Sequence, residues 1–238
     1  EERQRRIARE TLEIYAPIAN RLGIGWMKIE LENGSFRYLY PEEYRTIEEK
    51  VAKGKEYRDK YVEKVTSRLV KELGEAEIAG KVAGRPKQFF SIHKKMVDQN
   101  ISFEEVYDLV GVRVLTESLG DCYSVLGLVH SLWKPIPGKF KDYIAMPKPN
   151  MYQSLHTTVI GPRGERVEVQ IRSREMHKVC EGGIASHWRY KEKEGENEKS
   201  MNQQLLWVRH LLENQKDLKN PKEFLNAFKV NLFPDSVY

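Results

Sequence analysis

Residues 154–172 carry the pattern that most limits how this chain can fold. Ser154–Ile160 and Arg166–Arg172 are two strand-length segments joined by the turn Gly161-Pro162-Arg163-Gly164-Glu165, a spacing that predicts a hairpin. Strand side chains alternate faces, so Val167, Val169 and Ile171 fall on one side and Glu168 and Gln170 on the other. Within Gly138–Arg172, Lys139, Lys141, Lys148, Arg163, Arg166 and Arg172 crowd around Asn150, Tyr152, Gln153 and His156. A basic loop, a ring able to stack and a carboxylate on a rigid strand suit a nucleoside phosphate with its metal.

Helices are expected on both sides of this element. In residues 1–40, Ile7, Thr11, Ile14, Ile18 and Leu22 recur at helical spacing, with Pro17 a kink or boundary. A second helical region opens after Pro41, with Glu42 and Glu43 in its first turn, and runs to Leu73. Gly54 is a weak point that divides it, and Tyr57, Tyr61, Val65 and Leu69 form one face. From Ala76 the chain is short-paced and glycine-punctuated, a strand leading into a turn, followed by a basic helix over Gln88–Val97. Asp108–Thr116 is rich in β-branched residues and reads as a buried strand. Asp121 is placed as the N-cap of the next helix, and Pro135–Met151 as a loop. Further helices are expected at 174–190, 201–215 and 221–229, around a charged linker at 191–200. The sum is an α/β domain with helices packed on a sheet.

Composition narrows the class further. At 238 residues, 40% hydrophobic and 32% charged, the chain is neither disordered nor fibrous. No apolar run approaches the roughly 18–20 residues of a membrane span. The opening residues read as an amphipathic helix already under way, which suggests a chain that begins partway through a larger protein. Cys122 and Cys180 have no Cys or His at ligand spacing, which argues against a zinc site or disulfide framework and for a reducing cytoplasm. The net charge of +5 is modest, but its excess lies in Arg85–Lys95 and Lys139–Lys148. Clustered cations favour polyanionic ligands, nucleotides or RNA.

Two acids stand apart from the surface background. Asp108 opens one apolar strand and Glu168 sits inside another. A carboxylate among Val and Ile is costly to bury alone, so it calls for a cation or a metal nearby. Mg²⁺ between the two acids answers that need; so does pairing of each with a strand arginine such as Arg113 or Arg172. Arg85, Lys87, Ser91 and Lys95 gather near the start of a helix, where free backbone N–H groups and the helix dipole favour phosphate. The glycine spacing there is not that of a Walker A loop. Tyr152 is either a stacking platform for a base or a core residue, and His156 either a phosphate contact or a structural histidine.

Together the segments GRPKQFFSIHKKM, FEEVYDLVGVRVL, LWKPIPGKFKDYIAMPKPNMYQSLHTTV and VEVQIRSREMHKVCEGGIASHW resemble the synthetase domain of the RelA/SpoT homologue family, the bacterial (p)ppGpp synthetases. The resemblance covers roughly residues 40–200, and MYQSLHTT and EVQIR are its most specific parts. Residues 1–40 look like the helical end of that family's hydrolase domain, 41–218 like its synthetase domain, and 219–238 like a linker and the start of a TGS domain.

The resemblance implies an α/β fold of the nucleotidyltransferase type, a mixed β-sheet flanked by helices with an N-terminal helical segment. It implies Mg²⁺-dependent transfer of the β,γ-pyrophosphate of ATP to the 3′-hydroxyl of GTP or GDP. Carried over by position, Asp108 and Glu168 are the catalytic and metal-holding acids. Arg85, Lys87, Ser91, Lys95 and Arg113 belong to the ATP side. Lys139, Lys141, Lys148, Asn150, Tyr152, His156, Gln170 and Arg172 belong to the GTP/GDP side, with Tyr152 stacked on guanine. Lys139 stands where the family often has Arg, which keeps the charge but loses the bidentate fork, and Gln88 replaces a frequent His. The family's hydrolase uses a His-Asp metal motif, and no His-Asp dipeptide occurs here. Its relatives engage ribosomes through C-terminal domains outside this sequence. Two other classes stay open: a nucleotide-binding or regulatory module of the same fold without turnover, and RNA binding that weakens steeply with salt.

Overall fold

A computed structural model describes residues 1–106 and 109–191, with side chains as far as Gly183. The chain opens with helices α1 (Glu2–Glu10), α2 (Ala16–Arg21) and α3 (Gly25–Leu39), and a π-helical turn, Thr11–Tyr15, joins the first two. Pro17 sits in the first turn of α2, so the expected boundary is there. Proline has no N–H to give the preceding turn, and the chain instead widens, with the Ala16 N–H reaching Thr11 O.

Helices α4 (Pro41–Lys53) and α5 (Lys55–Glu75) are divided at Gly54, with Glu42 and Glu43 in the first turn of α4. On α5 the face runs one step later than the sequence suggests. Tyr61, Val65, Leu69 and Leu73 are buried, whereas Tyr57 is exposed.

Next come β1 (Gly80–Gly84), α6 (Phe89–Gln99), β2 (Gly111–Thr116) and α7 (Leu119–Leu132). Asp121 is not the N-cap of α7. Ser118 is: its hydroxyl accepts the Asp121 N–H at 3.1 Å, while the Asp121 carboxylate accepts the Ser118 N–H at 3.1 Å. The two form a reciprocal capping box, which satisfies two otherwise orphaned donors.

The loop at 135–151 holds two minimal strands, β3 (Lys134–Pro135) and β4 (Lys141–Asp142), before β5 (Leu155–Ile160), β6 (Arg166–Ser173) and α8 (Arg174–Lys191). The sheet runs β1-β2-β6-β5-β3, with β4 also on β5. β5 and β6 are the expected antiparallel hairpin, with Thr158 opposite Glu168. β2 and β6 run parallel, with Gly111 opposite Glu168, and the other pairs are antiparallel. The result is a mixed sheet flanked by helices.

Alternation on β6 sends Val167, Val169 and Ile171 into a core shared with Val112 and Val114 of β2 and Leu155 and Val159 of β5. α5 and α7 cover that face through Val65, Leu69, Val125 and Val129, all fully buried. Each such side chain contributes about 1.5–3 kcal/mol of burial. A second core, built on Phe36, Ile47, Ile92 and Val106, ties α3, α4 and α6 together. There the Asn33 side chain holds the start of α6. It donates to Gln88 Oε1 at 2.8 Å and accepts the Phe90 N–H at 3.2 Å. No helix among the described residues is long and apolar enough to cross a membrane.

Candidate active site

The sheet face opposite the α5–α7 core bears polar side chains. Arg113 on β2, Gln170 and Arg172 on β6, and His156 on β5 line a cavity of about 790 Å³. Its rim comes from Arg85, Gln88 and Ser91 around the start of α6, and from Lys148, Asn150 and Tyr152 in the loop before β5. The far wall comes from Asn20, Arg21, Lys28 and Glu32 of the N-terminal helices, and Cys180 and Glu181 of α8 line the side where Glu181 meets Arg113 and Arg172. Six of these residues are Arg or Lys against two glutamates, so the cavity favours anions.

The Tyr152–His156–Glu168 line is the most ordered part of the site. The Tyr152 hydroxyl meets His156 Nε2 at 2.7 Å, and His156 Nδ1 meets Glu168 Oε1 at 3.2 Å. With Nδ1 turned to the carboxylate and Nε2 to the tyrosine hydroxyl, both ring nitrogens are used. Burial by itself would raise the Glu168 carboxyl. The His156 hydrogen bond and the charges of His156, Arg85 and Lys87 outweigh it and hold Glu168 below the usual carboxylate value. Burial pushes the Tyr152 hydroxyl up, with nearby Arg172 and Arg85 opposing.

The loop before β5 is fixed from several sides. The Asn150 amide donates to Asn20 O at 3.0 Å, tying the loop to α2, and its Oδ1 accepts the Tyr152 N–H at 3.3 Å. Lys148 Nζ lies 4.4 Å from the Tyr143 ring centre and 5.4 Å from that of Tyr152, a cation–π arrangement. Asp142 accepts the N–H groups of Ile144 and Ala145 at 2.9 and 2.8 Å and the Tyr123 O–H at 2.9 Å, which shapes the approach to this loop.

Of the residues singled out in the sequence, Arg85, Ser91, Arg113, Lys148, Asn150, Tyr152, His156, Gln170 and Arg172 share the one cavity. Glu168 does not line it, but lies behind the lining residue His156, 3.2 Å from its Nδ1. Lys87 acts on Glu168 through its charge, and Lys95 is half-buried on α6 away from the lining. Lys139 is exposed and does not line the cavity. Lys141 does not line it either, but it pairs with His156 across β4 and β5, so the two side chains leave the same sheet face. Asp108 lies outside the described residues. So do the linker from 192 and the helices expected at 201–215 and 221–229.

Asn20, Arg21, Lys28, Glu32 and Glu181 line the site without having been expected there. An amphipathic stripe shows that a helix has a buried face, not which element covers the other side. The one signal in the sequence was the polar pair Asn20-Arg21 just before Gly23, whose φ of +73° turns the chain beside the Asn150 carbonyl. Lys28 Nζ is 3.5 Å from Glu32 Oε1, and burial nonetheless raises the Glu32 carboxyl.

Among the described residues no group of three or more His, Cys, Asp or Glu side chains is arranged to hold a metal. Glu168 does suit a hard cation. It is held ionised, it is an oxygen donor, and its hydrogen bonds from His156 and Gln170 both fall on Oε1. Mg²⁺ takes one or two carboxylates and completes its shell with water and phosphate oxygens.

The region found in RelA/SpoT proteins matches residues 84–195. The GTP pyrophosphokinase of Myxococcus xanthus is 53% identical over 238 residues, all of this chain and 31% of its own length. The bifunctional (p)ppGpp synthase/hydrolase RelA of Mycobacterium tuberculosis is 46% identical over 243 residues, all of this chain and 33% of its own. This chain thus spans about a third of the curated relatives it matches. The small alarmone synthetase 1 of Bacillus subtilis aligns structurally over 74% of this chain and 84% of its own, at 20% identity and a TM-score of 0.44. Residues 84–195 thus carry the region found in RelA/SpoT proteins, within a chain whose whole length aligns with about a third of longer GTP pyrophosphokinase and (p)ppGpp synthase/hydrolase sequences.

Proposed function

We propose that this chain carries a Mg²⁺-dependent pyrophosphoryl transferase that makes (p)ppGpp from ATP and GTP or GDP. The observation that carries the reading is a Glu168 held ionised and in contact with His156, which itself lines a cation-rich cavity. At about 790 Å³ the cavity is at the large end for ligand sites, which span roughly 300–1,000 Å³. The names of the long relatives, GTP pyrophosphokinase and (p)ppGpp synthase/hydrolase, support the same activity.

In this reading the guanosine 3′-oxygen attacks the β-phosphorus of ATP. The bond from that phosphorus to the oxygen bridging it to the α-phosphate breaks, and AMP leaves. Glu168 accepts the hydroxyl proton directly or through water. Phosphoryl chemistry asks little covalent work of a protein and depends on alignment and charge. Arg85, Arg113 and Ser91 take the ATP phosphates, with Lys87 and Lys95 adding positive potential. Tyr152 presents its ring to guanine, flanked by Lys148. Gln170, Arg172 and Asn150 shape that side, and Lys139 and Lys141 attract its phosphates from outside the lining. Mg²⁺, held by Glu168 and Asp108, would neutralise charge on the transferring phosphates. Asp108 precedes Val110 by two residues, and the Val110 carbonyl accepts the Glu168 N–H at 3.1 Å; this supports a shared role for the two acids. The proposed division keeps 41–218 as the synthetase unit, with 1–40 and 219–238 leading in and out of it.

The test is incubation with ATP, GTP and MgCl₂, with AMP and guanosine pentaphosphate followed by anion-exchange chromatography. Equimolar formation of the two is the expected result. ATP and GTP left intact at high protein concentration would overturn the reading for this chain.

A further inference from the structure

Arg172 is 1% exposed, yet among the described residues the carboxylate it pairs with, Glu181, is shared. Its Nη2 is shared between His177 Nδ1 at 2.7 Å and Glu181 Oε1 at 3.4 Å, and its Nε has no hydrogen-bond partner among the described residues. Arg113, on the neighbouring strand, repeats the pattern. Its Nε is also buried without a partner among the described residues, and it pairs with the same Glu181 oxygen, at 3.8 Å. A buried guanidinium normally has its five N–H groups satisfied. Here two adjacent guanidiniums on the cavity wall fall short of that, and one glutamate serves both.

Glu181 is an unusual counter-ion for so buried a pair. Its side chain is 46% exposed, its contacts lie at 3.4–3.8 Å, and it lines the cavity itself. The ring of His177 accepts from Arg172 and brings no compensating negative charge. Two residues beyond Glu181, Gly183 adopts φ +59°, ψ −150°, a conformation open essentially to glycine alone. A side chain there would run into the Leu22 carbonyl and the Gly23 backbone. The kink packs α8 against Leu22 and Gly23, just beyond Glu181, which sits half-exposed against the two arginines.

We propose that Glu181 is a displaceable stand-in for phosphate: it neutralises Arg113 and Arg172 in the free protein, and a polyphosphate group takes its place on them. The proposal rests on the nucleotide reading of the cavity and adds a specificity device to it. Ligands with several adjacent negative charges outcompete the tethered carboxylate, and singly charged anions do not. Glu181 is then a specificity residue that sets how much charge a ligand must bring.

The test is a calorimetric titration of the 238-residue chain with inorganic tripolyphosphate in EDTA, so that no metal contributes. Glu181→Gln preserves shape and removes the charge, and Glu181→Ala is the second variant. Both should bind tripolyphosphate about tenfold more tightly or better, since like-charge repulsion at such distances is large in a partly buried site. Adding Arg113→Gln to Glu181→Gln should erase most of that gain. Affinity in the single variants equal to or weaker than the parent's overturns the proposal, and so does a gain that survives loss of Arg113. A chain that yields no AMP but shows the gain keeps this proposal and loses the transferase reading. A chain that makes AMP without the gain does the reverse.

Discussion

His156 Nδ1 stands 3.2 Å from Glu168 Oε1 while Nε2 of the same ring meets the Tyr152 hydroxyl at 2.7 Å. One imidazole thus couples the ring proposed to carry guanine to the acid proposed to take the proton. A nucleotide that settles on Tyr152 acts on Glu168 through a side chain whose two nitrogens are already engaged.

Replacing His156 with Gln should therefore lower kcat more than it raises KM. The expected loss in kcat is about 10–100-fold, as for residues that orient a metal ligand. Tyr152→Phe keeps the ring and removes one hydrogen bond worth about 1 kcal/mol, so a roughly fivefold loss is expected. Steady-state kinetics with varied GTP separates the two parameters. A rise in KM alone for His156→Gln would make the histidine a nucleotide contact instead.

Glu168→Gln and Asp108→Asn should each reduce pyrophosphoryl transfer by at least about 100-fold. In Glu168→Gln the His156 contact persists as a neutral hydrogen bond, so thermal stability should change little. Near-parental turnover in either variant removes that acid from the reaction.

Stability should fall as the solution is acidified below neutrality. His93 packs against Phe36 and Tyr40 at 4.6 and 5.1 Å between ring centres, and burial holds its pKa below the ordinary 6.5. The folded protein thus resists a proton that the unfolded chain accepts. The stabilisation is complete above pH 6.5 and is lost as pH drops through that value toward the folded one. His130 and His177 shift in the same direction, each chiefly through burial. Melting temperatures at about pH 7.5 and pH 5.5 should differ, and less so in His93→Phe.

Gly183→Ala should destabilise the protein by at least about 2 kcal/mol, because alanine pays for both the backbone conformation and the clash with Leu22. Urea denaturation measures this. Gly74→Ala, inside α5 where an added methyl meets nothing within 4 Å, is the control and should be neutral or stabilising by up to about 1 kcal/mol.

The parts of the fold that were legible in the sequence are those set by neighbours along the chain. Alternation from Val167 to Ile171 announced a strand with two unlike faces, and Gly54 announced the break between two helices. The Ser118 cap was hidden because Ser118 and Asp121 are both good caps, and only the reciprocal bonds decide between them. β3 and β4 were hidden because two residues are too few to show a period. Nothing local states that Gly111 will lie beside Glu168, since parallel pairing joins strands far apart in sequence. The candidate site was legible as a set of phosphate-seeking side chains. Its far wall, from Asn20 to Glu32, was not, because the sequence of a helix does not name what lies across a cavity from it.

The parallel pairing of β2 with β6 also has a consequence for biosynthesis. While the ribosome has released β2 but not yet β6, β2 can bond only to β1 and leaves one flank of bare N–H and C=O groups. Such a flank is a template for strands from other chains, and distant pairings form slowly. Gly111–Thr116 is thus the stretch most exposed to mispairing during translation, and it is the same stretch that later gives Glu168 its register.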